Sequence, residues 1–359
     1  MSKLPDGNAI VYCEGAFNTT NGKTAHGLVR FTRRYHVVSV VDSRYAGRDA
    51  GEVLDGSPKN ISIFDSLEKA IASARANKKP ATHFVVGLAP DGGRLSQSAR
   101  LDIRQAVEMG LHIDSGLHDY LSEDKEISNL AKTNGVVIRD IRKPPPIGQL
   151  HFFSGKIEEV ESLKIAVLGT DSAVGKRTTA RILAESFYAA GISAEMIGTG
   201  QTSWMQGARY SIILDSLIND FVSGEIEHAV WSAWQNEKPR VIIIEGQGSL
   251  MNPAYPGGFE IIAASRPDLI ILQHAPARKE YDGFPGYPIH PLAKQIQVVE
   301  MLSSKPVVAI AVNHEDLSSQ QIPLVCEAIT QVTGLPAFDV LVQGAEGLID
   351  CLRPYLNKA

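Results

Sequence analysis

The chain has 359 residues, 44% of them hydrophobic and 21% charged, a composition that fits a globular protein with room for two domains. A formal charge of -5 and a pI near 6.1 leave no basic excess to neutralise phosphates, which argues against a general nucleic-acid binder. No apolar run reaches the roughly 18 residues of a membrane span, and "MSKLPDGNAIVYCEG" lacks the long apolar segment of a secretory leader. Cys13, Cys326 and Cys351 are odd in number and not in metal-ligand spacing, so they read as small core residues and no metal site is expected. A cytoplasmic protein without membrane or nucleic-acid partners is the expectation.

Short β-rich apolar runs alternate with helical patterns from end to end, the signature of parallel α/β sheets. "AIVYCEG" and "HVVSVVDS" read as strands flanking a helix over 23–34. "NISIF", "THFVVGLA", "HIDSG" and "GVVIRDI" continue the alternation, with helices near 66–77, 96–109 and 119–133. This part is Rossmann-like in pattern, but its turn, "EGAFNTTNGKTAHG", is not a G-x-G-x-x-G fingerprint. Asp42 ends the second strand, where an acid serves either a dinucleotide ribose or, more commonly, a turn or helix cap. "NGKT" is too short to stand as a phosphate loop. No clear chemistry is legible in this half; its expected role is to complete an active site at its interface with the second domain.

Pro144, Pro145 and Pro146 cannot continue a helix or a central strand, so the domain boundary is expected there, with domains over 1–145 and 146–359. The second part restarts with "SLKIAVLG" and continues through strands at "SAEMIG", "RVIIIEG", "DLIILQH" and "PVVAIAV". The expected fold class is α/β: a Rossmann-like N-terminal domain followed by a P-loop NTPase-like domain with a mostly parallel sheet.

In "GTDSAVGKRTT", Gly169 follows an apolar strand and Gly175-Lys176 opens a helix rich in Ala and Leu. Glycines let backbone amides converge on a phosphate oxygen, and the helix N-terminus adds its positive dipole end. Lys176 supplies a mobile charge for a second phosphate. The expected phosphate-binding set is Gly169, Thr170, Asp171, Ser172, Ala173, Val174, Gly175, Lys176, Arg177, Thr178 and Thr179. Five residues separate the two glycines where the common phosphate loop has four. Arg177 stands where an ATP enzyme places the Ser or Thr that ligates magnesium. Glu245 ends the strand of "RVIIIEGQGSL", a position from which an acid in P-loop proteins faces the metal or the reacting group.

"GTDSAVGK" and "EGQGSL" resemble the dethiobiotin synthetase branch of P-loop proteins, whose motifs read G-T-D-x-x-V-G-K-T and E-G-A-G-G. That likeness implies carboxyl activation with ATP and Mg2+. A resemblance over the whole chain is carried by the G-K-R-T-T variant, "LDSLINDFVSGEIEHAV" and "HAPARKEYDGFPGYPIHPL". It is to a two-domain family long carried as one of unknown function, members of which are assigned as N-acetyltransferases acting on D-amino acids, D-glutamate in particular. The resemblance implies acetyl-CoA as donor, a small-molecule amino acid as acceptor, and a homo-oligomer. Coenzyme A carries a pyrophosphate, and acyl transfer breaks no phosphoanhydride, so no metal is needed to neutralise a leaving group. Arg177 would then supply fixed charge if it points toward the ligand. If it points outward, Thr178 or Thr179 remains within reach of a metal.

An amino-acid substrate needs a cation for its carboxylates and a base for its amine. "LQHAPARKEYDG" offers His274, Arg278, Lys279 and Tyr281 after a strand, where open α/β sheets place ligands. His274 has a useful ordinary pKa for a base. Glu245 is the rival, a role that burial favours in a carboxyl group. Gln201, Thr202 and Ser203, in a glycine-rich segment, and Asp215 after it complete the expected acceptor side.

Overall fold

The structure is a computed structural model and describes residues 5–356; the first four residues of the stretch read for a leader lie outside the described residues. The chain forms two compact units, Met1–Pro145 with Gln201–Gly207, and Pro146–Gly200 with Ala208–Ala359.

The first unit contains strands β1 (Gly7–Tyr12), β2 (Tyr35–Val41), β3 (Ser62–Phe64), β4 (His83–Val86), β5 (His112–Ser115) and β6 (Ile138–Asp140). They form one sheet in the order β3-β2-β1-β4-β5-β6, all pairings parallel, which is the Rossmann strand order. Alternate residues of β1 enter two cores: Ile10 and Tyr12 pack with Phe84 and Ile113, while Ala9 and Val11 pack with Val40 and Val85. A strand buried on both faces reads as a continuous apolar run, which is why these strands were visible in the sequence. Ser66, Ser96 and Asp124 cap the helices Leu67–Ala76, Gln97–Glu108 and Lys125–Asn134. The third of these begins later than its expected start at 119, because Asp119 accepts from the Leu95 amide and Asp124 is the cap.

The second unit contains β7 (Leu163–Gly169), β8 (Ala194–Gly198), β9 (Tyr210–Ser211), β10 (Val241–Glu245), β11 (Leu269–His274), β12 (Val307–Val312) and β13 (Ala337–Phe338). Their order is β13-β12-β11-β7-β10-β8-β9, again wholly parallel among the described pairings. Every residue of β7 and of β10 is buried, so the sheet is covered on both faces. The short β9 and β13 were not expected; two residues each give too little periodicity to read. Among the described residues no helix is long and apolar enough to cross a membrane.

Candidate functional site

β7 lies between β10 and β11, and the register sets Glu245 beside Val167 and Gln273 beside Gly169. Three neighbouring strands therefore end together, carrying Glu245, the glycine loop and His274. β7 is also where the strand order reverses, the position at which open α/β sheets bind ligands.

The loop over 169–176 closes onto the helix Lys176–Ala189. Gly175 precedes the helix at φ 105, a conformation that side-chain-bearing residues rarely adopt, and no side chain caps the helix. The first-turn N–H groups are thus left for the loop or for an anion. Lys176 is buried; its Nζ donates to the Asp171 and Gly248 carbonyls, both at 2.7 Å. Its stem crosses Gly246, where an added Cβ would lie 2.4 Å from the Val167 carbonyl oxygen and 3.0 Å from Lys176 Cδ. Gly246 is there because nothing larger fits between the strand end and the lysine.

Asp171 is fully buried and organises the loop. Its Oδ1 accepts from the Ser172 amide at 2.7 Å and Asn252 Nδ2 at 2.8 Å. Its Oδ2 accepts from Arg278 Nη1 and the Asp282 amide, both at 2.9 Å. Arg278 also donates to the Ser172 carbonyl at 2.8 Å and, in bidentate fashion, to Glu315 at 3.0 and 2.7 Å. A guanidinium so committed braces the loop, where the sequence suggested a clamp for a substrate carboxylate. Thr179 is buried and donates to Gln273 Oε1, so this hydroxyl serves the sheet. Thr170 donates its amide to the Gln273 carbonyl, and Asn313 Nδ2 holds the Val174 carbonyl at 2.9 Å. Ser172, Arg177 and Thr178 are half-buried, and Ala173 is exposed at φ 52.

Glu245 is 5% exposed and its Oε2 accepts from the Thr199 amide at 2.9 Å. Thr199 in turn donates its hydroxyl to the Glu245 carbonyl and accepts from Gln247 Nε2. His274 Nδ1 lies 3.0 Å from Thr170 Oγ1. Burial pulls the imidazole down to about 4, so it is neutral at neutral pH and a weaker base than its ordinary pKa promised.

Gln201, Thr202 and Ser203 sit buried on the short helix Gln201–Met205, which belongs to the first unit. There Thr202 Oγ1 lies 2.9 Å from Thr24 Oγ1, and Gln201 packs on Gly116. Asp215 is exposed on the one-turn helix Leu214–Ser216, and Lys279 is exposed. Tyr281 is buried, and burial raises its phenol. In the first unit Asp42 is fully buried, accepting from the Phe17 and Arg44 amides and pairing with Arg44. Its carboxylate closes the β1 turn and caps the next one, so the capping alternative is the one realised.

Asn252, Gln273, Glu315 and Thr199 were missed as members of the site. Gln273 had a legible signal: a buried amide in the apolar run "DLIILQH" needs a partner. Asn252 and Glu315 lie in loops whose sequence carries no such contrast.

Two family profiles match the chain. One described as "Domain of unknown function (DUF1611_C) P-loop domain" covers residues 151–349, and one described as "Domain of unknown function (DUF1611_N) Rossmann-like domain" covers residues 43–144. A D-glutamate N-acetyltransferase of Tritonibacter scottomollicae is 30% identical over 309 residues, 83% of this chain and 88% of that protein. Another from a Pseudoalteromonas species is 31% identical over 280 residues, 76% and 82% of the two chains. A crystal structure of a DUF1611 family protein from Anabaena variabilis superposes with a TM-score of 0.88 at 28% identity, over 97% of this chain and 99% of that one.

Proposed function

The chain belongs to the DUF1611 family, and from that premise we propose that it is an N-acetyltransferase that moves an acetyl group from acetyl-CoA to the amine of D-glutamate. Relatives bearing that activity in their names support the reading. The observation that carries it on this chain's own residues is the phosphate loop in which Arg177 follows the lysine. A magnesium-binding hydroxyl is the ordinary occupant of that position. Thr179, two residues on, is spent on Gln273. In this reading the loop holds a phosphate by backbone amides, the helix dipole and Lys176, without calling on the half-buried Thr178.

In this reading a pyrophosphate oxygen of coenzyme A takes Lys176 Nζ from the Asp171 and Gly248 carbonyls, and the open first turn of Lys176–Ala189 donates the rest. The thioester lies at the far end of the pantetheine arm, so the arm must turn back over the strand ends for the chemistry to occur beside the loop. Glu245 is the base we favour, since burial has weakened His274. The ammonium first yields a proton to Glu245, and the free amine attacks the thioester carbon. Collapse of the tetrahedral adduct forms the amide and breaks the C–S bond; the second proton on nitrogen passes to the leaving thiolate, and Glu245 returns its proton to solvent. His274 acts through Thr170 as a positioning residue at the loop's entrance.

Titration calorimetry of the purified protein with coenzyme A, and separately with MgATP, tests the reading. Micromolar coenzyme A binding that is independent of magnesium is expected. MgATP binding with no response to coenzyme A would instead favour carboxyl activation of the dethiobiotin synthetase kind.

A further inference from the structure

Behind the phosphate loop the second unit encloses a narrow cavity of about 10 Å³, room for the centre of one water-sized or methyl-sized group. Its aliphatic wall is made by Leu168 from the end of β7, Leu250 from the loop after Glu245, and Val298 and Val299 from the helix Leu292–Ser303, while Gln247, Ser249 and Gln295 give it a polar side. Gly169, the first residue of the phosphate loop, forms one edge. None of its lining residues is charged.

One polar group in this lining is unaccounted for. Ser249 is 2% exposed, and its Oγ has no hydrogen-bond partner. A buried hydroxyl left alone is costly, and native structures rarely keep one without reason. Gln295, 3% exposed, also lines the cavity and donates through Nε2 to the His290 carbonyl. Ser249 directly follows Gly248, whose carbonyl holds Lys176 Nζ.

We propose that this cavity seats one methyl branch of the first segment of the pantetheine arm, the branched alkyl-alcohol stretch that follows the pyrophosphate in coenzyme A. The inference rests on the coenzyme A reading above and adds the feature that selects this donor over an adenine nucleotide. The aliphatic wall suits a methyl branch, and a lining without charge is hostile to a further phosphate. Ser249 Oγ meets the segment's hydroxyl or carbonyl oxygen, which ends its isolation. A further phosphate that passed Lys176 into the cavity would meet no charged group in its lining, so the cavity favours the coenzyme over the nucleotide.

The test is equilibrium binding of coenzyme A and of ADP to the wild-type protein, Ser249→Ala and the cavity-filling Val298→Phe. ADP shares the adenosine pyrophosphate but ends where the arm begins. We expect Ser249→Ala to weaken coenzyme A about three- to tenfold and Val298→Phe more than tenfold, each leaving ADP within about twofold of wild type. Equal effects on both ligands would mean the cavity only supports the loop, and unchanged coenzyme A binding in both variants would mean it holds a structural water; either result overturns the proposal while the donor reading stands. Wild-type protein that binds ADP and not coenzyme A would instead overturn the donor reading itself. Thermal melting of each variant within a few degrees of wild type identifies the folded protein on which the binding is read.

Discussion

Replacing Arg278 with methionine separates two roles that the sequence could not distinguish. As a substrate clamp, its loss would weaken the acceptor and leave the fold alone. The structure assigns it to the loop instead: it donates to Asp171 and Ser172 on one side and to Glu315 on the other, with 8% of its side chain exposed. Removing one partner of a buried ion pair costs about 3–5 kcal/mol. Two features reduce that here. Asp171 keeps three N–H donors, from Ser172, Asn252 and Asp282, and Glu315 is 38% exposed and can rehydrate. A loss of about 2–3 kcal/mol remains, which for a unit of roughly 200 residues lowers Tm by about 4–12 °C. Differential scanning calorimetry of Arg278→Met, with the exposed Lys279→Met as control, measures it. Adding Asp171→Asn to Arg278→Met should recover part of the loss, because the stranded charge is gone. An unchanged Tm combined with a raised KM for the acceptor alone would refute the bracing role.

Lys176→Ala removes a charged hydrogen bond worth about 1.5–3 kcal/mol, so the apparent constant for acetyl-CoA should rise about ten- to a hundredfold while that for D-glutamate moves little; initial-rate kinetics would show it. Glu245→Gln keeps an oxygen for the Thr199 amide but cannot take a proton, and kcat should fall about 10²–10⁴-fold with KM for the donor nearly constant. A change confined to KM would make Glu245 a loop support. Because His274 is held at about 4 when folded, the unfolded chain protonates first; the stability it contributes is complete above about pH 6.5 and lost as pH falls toward 4. The slope should be worth about 1–3 kcal/mol, and His274→Gln should flatten it in a series of melts between pH 4 and 7. Gly246→Ala places a methyl 2.4 Å from the Val167 carbonyl oxygen and should abolish donor binding by displacing Lys176.

The central strands of both units were readable because burial on both faces leaves continuous apolar runs such as "KIAVLG" and "VIIIEG". The phosphate loop was readable because glycine at positive φ and a lysine at a helix start are local requirements, met by Gly175 and Lys176 within two residues. What surrounds them was not local. Arg278 is 107 residues from Asp171 and 37 from Glu315, so nothing near it in sequence distinguishes a brace from a ligand clamp. His274 was legible as a histidine at a strand end, but the desolvation that lowers its pKa comes from packing that no short window contains. Gln201, Thr202 and Ser203 follow a glycine-rich strand end as a site loop would; that they are buried with the first unit, where Thr202 meets Thr24, depends on a contact 178 residues away in sequence.

Acetyl transfer itself is the most direct test of the account. Purified protein is incubated with acetyl-CoA and D-glutamate in the presence of a magnesium chelator, and free thiol is followed alongside N-acetylglutamate by mass spectrometry. The account predicts thiol and N-acetylated product in equal amounts, with no loss on chelation. No thiol release with D-glutamate or any of a panel of D- and L-amino acids, alongside magnesium-dependent consumption of ATP, would contradict it.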